Sequence, residues 1–264
     1  MCLCFIAYQV HPKFPVFIAA NRDEFYQRPT ESLRWWKDEG LLGGRDLEKG
    51  GTWLAVDPSG RMALVTNYRR GGEERAPRSR GKLVTEFLKS HHSAKSFVNE
   101  ISPWRHLYGG FNLLLWDGRE MVYGSSESTE GRVLDRGVYG LSNGKLDSRW
   151  PKVQEGKAAF QKLLTNPTLR HLAGGRPVEP FLELLRKDKT YPDHRLPKTG
   201  VGLERERALS PIFIRGESYG TRSSSVVGIN ATDVDFTENI YNQGVFRTQC
   251  RIQTSLRSIK SRYS

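Results

Sequence analysis

The stretch Cys2-Leu3-Cys4-Phe5-Ile6-Ala7-Tyr8, followed after a short turn by Val16-Phe17-Ile18-Ala19-Ala20, decides the fold. Both runs are apolar, and residues 11–15 between them carry two prolines, so the pattern predicts a β-hairpin. The second strand is expected to end at residues 21–24, which read Asn21-Arg22-Asp23-Glu24. In an antiparallel pair the end of the second strand lies beside the start of the first. We therefore expect residues 21–24 to lie close to Cys2.

Cys2 directly follows the initiator methionine, which is normally removed before a side chain as small as cysteine. Removal of Met1 would give residue 2 both a thiol nucleophile and an α-amine that titrates near about pH 7.7–8. That amine could serve as a general base at neutral pH. Arg22 and the neighbouring carboxylates could then set the pKa of both groups. The alternatives are a small apolar residue on an N-terminal strand, and a solvated strand end with an ordinary Arg–Asp pair.

Several motifs resemble those of the NRDE family of transport and Golgi organisation proteins, in the family's order and over roughly residues 1–240. The series starts with Met1-Cys2 and Ala19-Ala20-Asn21-Arg22-Asp23-Glu24-Phe25. It continues with Gly50-Gly51-Thr52-Trp53-Leu54, Ala63-Leu64-Val65-Thr66-Asn67-Tyr68-Arg69, Gly81-Lys82-Leu83-Val84, Gly110-Phe111-Asn112-Leu113, Tyr139-Gly140-Leu141-Ser142-Asn143 and Tyr219-Gly220-Thr221-Arg222-Ser223. The layout is also distantly similar to the N-terminal-nucleophile (Ntn) cysteine hydrolases.

The resemblance implies an α+β fold of the Ntn-hydrolase type: a four-layer αββα sandwich with two mainly antiparallel sheets between helical layers. It also implies a site in which Cys2 is the nucleophile. Asn67 would donate its amide to the oxyanion, with Asn143 as a second amide, while Asp23 and Arg222 would orient and tune the nucleophile. The resemblance assigns Asn21 and Arg22 to binding.

Each of these assignments has a structural alternative. Asn67 and Asn143 both occur where an asparagine in a turn is common, and Arg222 could be a plain strand-end arginine. In the hydrolases the arginine precedes the aspartate by three residues, whereas Arg22 and Asp23 are adjacent. Adjacent strand residues point to opposite faces, so Arg22 would not reach the thiol as the hydrolase arginine does.

Two functions therefore remain open. The first is an N-terminal cysteine amidohydrolase or thioesterase that requires no cofactor. The second is a non-catalytic protein that retains the fold and binds haem or an acyl chain. The family is implicated in haem trafficking and in lipid or acyl-CoA homeostasis, so the resemblance implies a small hydrophobic or acyl-type ligand, with haem as the alternative ligand.

Composition limits the remaining classes. The chain has 264 residues, 37% of them hydrophobic, and a net charge of +12. The basic residues are widely spread and no nucleic-acid-binding motif is present, so no nucleic-acid partner is expected. No run reaches the roughly 20 apolar residues of a membrane span. Three cysteines form no disulfide framework, which favours a reducing compartment and a cytoplasmic location.

The predicted organisation is one domain over residues 1–246 and a basic C-terminal tail over residues 247–264, which could make weak contact with an anionic membrane. Hairpins are expected at 52–57 with 61–67 and at 111–116 with 120–123, helices at 81–91, 94–101, 150–164 and 180–187, and strands within 132–141 and at 212–215, 224–229 and 234–236. Residues 30–48, 69–80 and 188–210 are expected to be loops that form the pocket walls. The histidines show no metal-ligand spacing, so no metal site is predicted.

Overall fold

A computed structural model describes residues 2–72, 76–166 and 178–256 of the chain. Its strands are β1 (Cys2–Tyr8), β2 (Val16–Phe25), β3 (Thr30–Trp35), β4 (Leu42–Asp46), β5 (Leu54–Val56), β6 (Met62–Asn67), β7 (Phe111–Trp116), β8 (Met121–Ser125), β9 (Arg132–Val133), β10 (Gly137–Leu141), β11 (Tyr219–Ile229), β12 (Asp233–Asn242) and β13 (Val245–Ser255). The α-helices are α1 (Arg80–Lys89), α2 (Ala94–Ile101), α3 (Pro151–Thr165), α4 (Glu179–Leu185) and α5 (Leu203–Ala208).

The strands form two antiparallel sheets. Sheet 1 has the order β10-β1-β2-β11-β12-β13, and sheet 2 has the order β3-β4-β5-β6-β7-β8-β9. A core of buried side chains such as Ile6, Ile18 and Leu64 lies between the two sheets. The outer face of sheet 2 packs against α1 and α2, and the outer face of sheet 1 packs against α3 and α4. The α+β class and the αββα layering are therefore confirmed.

Alternate side chains of β1 and β2 point to opposite faces of sheet 1, so each strand contributes to two layers of the core. Ile6 and Ile18 face sheet 2, whereas Phe5 and Phe17 face the helices and join Phe160 of α3 in an aromatic cluster. Successive side chains of a strand point to opposite faces, so two apolar runs without polar interruption are what a sheet covered on both sides requires.

The register of the first hairpin sets the geometry of one end of sheet 1. Cys2 pairs with Arg22 across β1 and β2, and Asp23 pairs with Thr221 across β2 and β11. The β2–β11 ladder then shifts register between Thr221 and Ser223, so Arg222 lies at an irregularity. The predicted closeness of residues 21–24 and Cys2 is confirmed at the level of the backbone. The strand β2 ends at Phe25, one residue beyond the predicted end.

Most of the predicted elements exist, including both helix pairs and the hairpins β5–β6 and β7–β8. The strand predicted at 212–215 is wrong, since Arg215 forms only an isolated bridge there. The loop predicted at 30–48 contains β3 and β4, and the 188–210 loop contains a 3-10 turn (Asp193–Arg195) and α5. These segments are short or polar and lack the apolar periodicity on which prediction depends.

The tail boundary predicted at residue 246 is also wrong, because it falls inside β13. This strand is at the edge of sheet 1 and most of its residues are exposed or half-buried, so its sequence has the polar character of an edge strand. The rest of the predicted tail, residues 257–264, lies outside the described residues. Within the described ranges, no helix is long and apolar enough to cross a membrane.

Candidate functional site

A cavity of about 510 Å³ opens where the ends of both sheets meet. Sheet 1 contributes Arg22 and Asp23 from β2, while β6 and the segment before β5 contribute Asn67 and Trp53 from the side of sheet 2. The lining residues are Arg22, Asp23, Glu24, Arg28, Asp46, Glu48, Lys49, Thr52, Trp53, Val65, Asn67, Ala76, Pro77, Arg78, Ser79, Arg80, Gly81 and Gly109.

Arg22 is a buried cation on the inter-sheet side of this cavity. The residue is 5% exposed, and its guanidinium carbon lies 4.3 Å from the centroid of the Trp53 ring. Its Nη1 atom is fully buried and has no hydrogen-bond partner among the described residues. Backbone register places Arg22 directly across from residue 2. A buried carboxyl group lies near this guanidinium: burial raises the pKa of Glu238, and the charge of Arg22 acts in the opposite direction.

Asp23 occupies the other face of β2. Its Oδ1 atom accepts a hydrogen bond of 2.7 Å from Thr221 Oγ1, and Thr221 Oγ1 in turn accepts one of 2.9 Å from the Ile214 backbone N–H. Burial raises the pKa of the Asp23 carboxyl group, although the charge of Lys152 and the Thr221 hydroxyl both act in the opposite direction. Arg22 and Asp23 therefore point to opposite faces, as their adjacency predicts, yet both line the same cavity at the end of the strand.

Asn67 and Asn143 are neighbours in the structure, but of the two only Asn67 lines the cavity. The half-buried Asn67 lines the cavity, and its side chain makes no hydrogen bond to the rest of the described chain. Asn143 is fully buried, and its Nδ2 atom donates to the backbone carbonyl of Asn67 at 2.8 Å. The structure thus brings the Asn67 amide to the cavity and places the Asn143 amide behind it.

Asn21 and Arg222 make contacts that hold the scaffold. Asn21 Nδ2 donates to the carbonyls of Leu185 and Ile212 at 2.8 and 2.9 Å, and Asn21 Oδ1 accepts from Ser224 Oγ at 2.6 Å. Arg222 Nη1 donates to three backbone carbonyls of the turn between β2 and β3, at residues 25, 26 and 28. Neither side chain lines the cavity within the described part of the chain.

A second cavity of about 860 Å³ adjoins the first, and Glu24, Arg28, Asn67 and Arg80 line both. Its further wall comes from residues 188–219 and combines apolar side chains such as Val201, Leu209 and Phe213 with arginines. Seven arginines face it against three acidic residues. Its seven arginines are Arg28, Arg69, Arg70, Arg80, Arg205, Arg207 and Arg215. The second cavity therefore combines apolar and cationic wall residues, although five of these arginines pair with carboxylates.

Sequence interpretation missed two features of the site. Trp53 packs against the inter-sheet core, and the Arg22 guanidinium stacks on its ring. Thr221 is the partner of Asp23, a role that no local pattern indicates. Among the sequence features, only the family motifs at residues 50–54 and 219–223, which contain Trp53 and Thr221 respectively, indicate that these residues belong to the site. The described residues hold no group of three or more His, Cys, Asp or Glu side chains that could bind a metal ion.

This fold and site define a class: a four-layer αββα protein with a polar cavity at the meeting ends of its two sheets. The family model described as Transport and Golgi organisation 2 matches residues 1–243. The chain belongs to this family, which confirms the resemblance seen in its motifs.

Similar proteins from animals support the same family assignment. The Transport and Golgi organization protein 2 homolog of Bos taurus is 34% identical over 260 residues, which cover 90% of this chain and 92% of the relative. The Homo sapiens homolog is 32% identical over 257 residues with the same coverage. The Drosophila melanogaster protein is 27% identical, with 88% of each chain covered.

Similar solved structures are more distant. A mutant conjugated bile acid hydrolase from Clostridium perfringens aligns with a TM-score of 0.48 at 9% identity, covering 96% of this chain and 92% of its own. A Caenorhabditis elegans ortholog of N-acylethanolamine-hydrolyzing acid amidase aligns with a TM-score of 0.36 at 13% identity, covering 86% and 92%.

Proposed function

We propose that this protein hydrolyses an amide or thioester bond, with Cys2 as the N-terminal nucleophile once Met1 has been removed. The observation that carries the proposal is the register of β1 against β2, which pairs residue 2 with Arg22 at a cavity that Asp23 and Asn67 also line. A nucleophile, a cation, a carboxyl group and an amide donor are the groups that acyl transfer requires.

The proposed reaction has two steps. The Cys2 thiol transfers its proton to its own α-amine while the sulfur attacks the acyl carbon, and the amine then protonates the departing amine or thiolate. Water, deprotonated by the same amine, attacks the acyl-thioenzyme and releases the acid and the thiol. The chemistry needs no cofactor, because a single terminal residue supplies both the nucleophile and the base.

The other residues would support this reaction from fixed positions. The Asn67 amide would donate to the oxyanion, and Asn143 would hold Asn67 through its carbonyl. Asp23 and Thr221 would orient the amino terminus on the helix-facing side of β2. Arg222 would act indirectly, by fixing the turn that follows β2.

The ligand would be of the acyl type, in keeping with a role in lipid or acyl-CoA trafficking and homeostasis. The second cavity offers an apolar wall beside its arginines. Haem is the alternative ligand. The Cys2 thiol that this proposal places at the first cavity would then be the candidate axial ligand, since the described residues lining the two cavities include no histidine or methionine. We place this activity in the cytoplasm, where thiols remain reduced.

One observation favours a second candidate, a non-catalytic carrier of the same ligand. The Asn143 amide and the Arg222 guanidinium both bind backbone carbonyls rather than facing the cavity. A site that has lost turnover could retain these contacts, since they stabilise the scaffold.

Intact-mass spectrometry combined with the pH dependence of thiol alkylation separates the two. Hydrolysis predicts that Met1 is absent and that Cys2 reacts fastest, with an apparent pKa below the roughly 8.5 of a free cysteine. Cys4 and Cys250 provide internal controls, because Cys4 is fully buried and Cys250 is half-buried. Retained Met1, or a Cys2 thiol no faster than Cys250, would exclude the hydrolase and leave the carrier.

A further inference from the structure

The tip of the β12–β13 hairpin exposes two neighbouring apolar side chains. Val245 and Phe246 are 54% and 47% exposed. They follow a two-residue turn in which Gln243 and Gly244 both have left-handed backbone conformations, with φ of 50° and 75°. A turn of this kind matches the twist of the two strands. The two side chains therefore have a defined place on the surface.

The hairpin tip is attached to the wall of the second cavity. Arg215 Nη1 donates to the Gly244 carbonyl at 2.8 Å. The Phe246 ring contacts Tyr241 at 6.2 Å between centroids, and Tyr241 in turn contacts Phe213 at 4.9 Å. Arg215 and Phe213 both line the second cavity. The hairpin tip therefore lies at the rim of that cavity.

Two further apolar side chains lie on the same rim. Phe25, at the end of β2, is 57% exposed, lines the second cavity and packs edge-to-face on the Tyr219 ring. Leu203, at the start of α5, is 48% exposed and lies in the chain between Val201 and Arg205, which both line the cavity. Seven large hydrophobic side chains are exposed in the described chain, and four of them thus lie around one opening. Exposed apolar groups gathered in this way mark an interaction surface.

The rim is also basic. Residues 186–217, which supply most of the cavity wall, contain eight Lys and Arg residues against five Asp and Glu residues. The side chains of Arg205 and Arg247 are exposed and make no ion pair or hydrogen bond within the described residues. Three of the acids already pair with arginines, namely Asp188, Asp193 and Glu206. Guanidinium groups bind phosphate oxygens through paired hydrogen bonds, so the rim offers free phosphate-binding cations beside its apolar side chains.

This combination fits an anionic membrane better than a protein partner. The apolar side chains project from a hairpin tip, a strand end and a helix start, instead of forming one continuous patch. A protein interface needs a contiguous, well-packed core from which water is excluded. A bilayer interface accepts separate apolar side chains among its headgroups, and its anionic lipids attract nearby arginines.

We propose that the rim of the second cavity docks onto an anionic membrane surface through the β12–β13 hairpin tip, Phe25 and the start of α5. Val245 and Phe246 enter the boundary between headgroups and acyl chains, while Arg205 and Arg247 bind lipid phosphates. Docking in this way turns the mouth of the second cavity towards the bilayer. The inference goes beyond the proposed function and does not depend on it, because docking requires no turnover.

Co-sedimentation with vesicles made of equal parts of phosphatidylcholine and phosphatidylserine tests the surface. The wild type should bind these vesicles and bind pure phosphatidylcholine vesicles much more weakly. Val245→Asp should bind the anionic vesicles at least about tenfold more weakly, because it replaces an inserted apolar side chain by a charge that anionic lipid repels. Val133→Asp is the matched control and should bind like the wild type, since Val133 is a 41% exposed valine of the edge strand β9 and lines neither cavity.

Arginine variants test the contribution of charge. Arg205→Gln and Arg247→Gln should each weaken binding to the anionic vesicles about fivefold, as expected for one cation near such a surface. Arg119→Gln is the control, because Arg119 is an exposed arginine in the β7–β8 turn, at the end of β7 away from the first cavity. Its binding should equal that of the wild type.

A full-length variant with Arg257, Lys260 and Arg262 changed to glutamine separates the rim from the basic C-terminal tail. This tail variant should retain most of the binding to anionic vesicles. If Val245→Asp binds like the wild type while the tail variant fails to bind, the tail is the membrane contact and the proposal is overturned. A wild-type protein that does not bind anionic vesicles would also overturn it and leave a protein partner for the rim. Vesicle binding is independent of Cys2 alkylation, so failure of the docking proposal and failure of the hydrolase proposal are distinguished.

Discussion

The position of Asp23 in the sheet changes the pKa of its carboxyl group. Its carboxyl group is 1% exposed on the helix-facing side of β2 and accepts the Thr221 hydroxyl. Burial raises its pKa despite the nearby charge of Lys152. The native state therefore favours the protonated form more than the unfolded chain does, so ionisation of Asp23 reduces the stability of the fold.

We predict that Asp23→Asn will be more stable relative to the wild type at about pH 7 than at about pH 4. Below the ordinary aspartate pKa of about 3.9, Asp23 is protonated in both the folded and the unfolded state and resembles asparagine. As the pH rises through the raised native pKa, only the wild type must ionise a buried group, and it loses stability relative to the variant. Urea unfolding of both proteins at the two pH values measures this difference.

Asp117→Asn is the control with the opposite sign. Burial disfavours ionisation of Asp117 as well, but the backbone N–H groups of Glu120, Ala94 and Arg119 outweigh it and lower the pKa. The Asp117 carboxylate should therefore stabilise the fold at about pH 7 and lose that contribution in acid. If Asp23→Asn instead loses stability relative to the wild type as the pH rises, as Asp117→Asn should, the raised pKa of Asp23 is contradicted.

At the scale of elements, a buried ion pair fastens the segment around α5 to the end of β6. Arg69 Nη1 lies 2.6 Å from Glu206 Oε2, and both side chains are 4% exposed. Glu206 Oε1 also accepts from the backbone and hydroxyl of Thr199 at 3.0 and 2.6 Å. Arg69 stacks 4.9 Å from the Trp150 ring and donates its backbone N–H to Asn143. The Arg69–Glu206 ion pair therefore connects the wall of the second cavity to the neighbouring Asn67 and Asn143.

We predict that Glu206→Gln will accelerate amide hydrogen exchange at residues 199–209 while leaving the sheets protected. The change leaves Arg69 buried without its counter-ion, which should lower the free energy of local opening by about 1–3 kcal/mol. Hydrogen-exchange mass spectrometry with peptide resolution measures the effect.

The matched control is Glu204→Gln, which removes a carboxylate of the same helix that is exposed. Exposed charges contribute little to stability, so exchange in this control should match the wild type. Equal exchange in both variants would show that the ion pair does not hold the segment.

At the scale of the whole molecule, β13 completes the inter-sheet core. It pairs with β12 from Asp233 opposite Ser255 to Asn242 opposite Val245. Ile252 packs against the core between the sheets, and Leu256, just beyond the strand, is buried within it. The strand is thus part of the globular fold, although its outer residues are exposed.

We predict that a chain ending at residue 246 will be less stable by more than about 3 kcal/mol. The truncation removes the buried Leu256 and the half-buried Ile252 from the core, and a fully buried side chain of this size contributes about 1.5–3 kcal/mol. It also leaves the edge of β12 without its ladder partner. Chemical denaturation of the truncated and full-length proteins gives the difference.

Val245→Thr is the control for a general sensitivity of this edge. Val245 belongs to β13 but is 54% exposed, so a change to the similarly shaped threonine should alter stability by less than about 0.5 kcal/mol. A truncated chain with wild-type stability would instead support an independent tail.

Sequence by itself determined the first hairpin, both helix pairs and the order in which strands and helices alternate. Uninterrupted apolar runs such as Val16 to Ala20 require a sheet covered on both faces, and apolar positions at helical spacing identify α1 and α3. Turn residues then bring residues 21–24 back towards Cys2. These features depend on local periodicity and turn chemistry, which the chain carries wherever it lies.

Tertiary structure alone decided the rest. Strands β3, β4 and β13 are short, glycine-containing or polar, and they become strands because a neighbouring strand offers hydrogen bonds along its edge. The contacts of Arg22 with Trp53, Asn143 with Asn67 and Arg69 with Glu206 join residues far apart in the chain. Such partnerships are chosen by which side chains share a buried space after folding, where an unpaired charge or amide is too costly to leave alone.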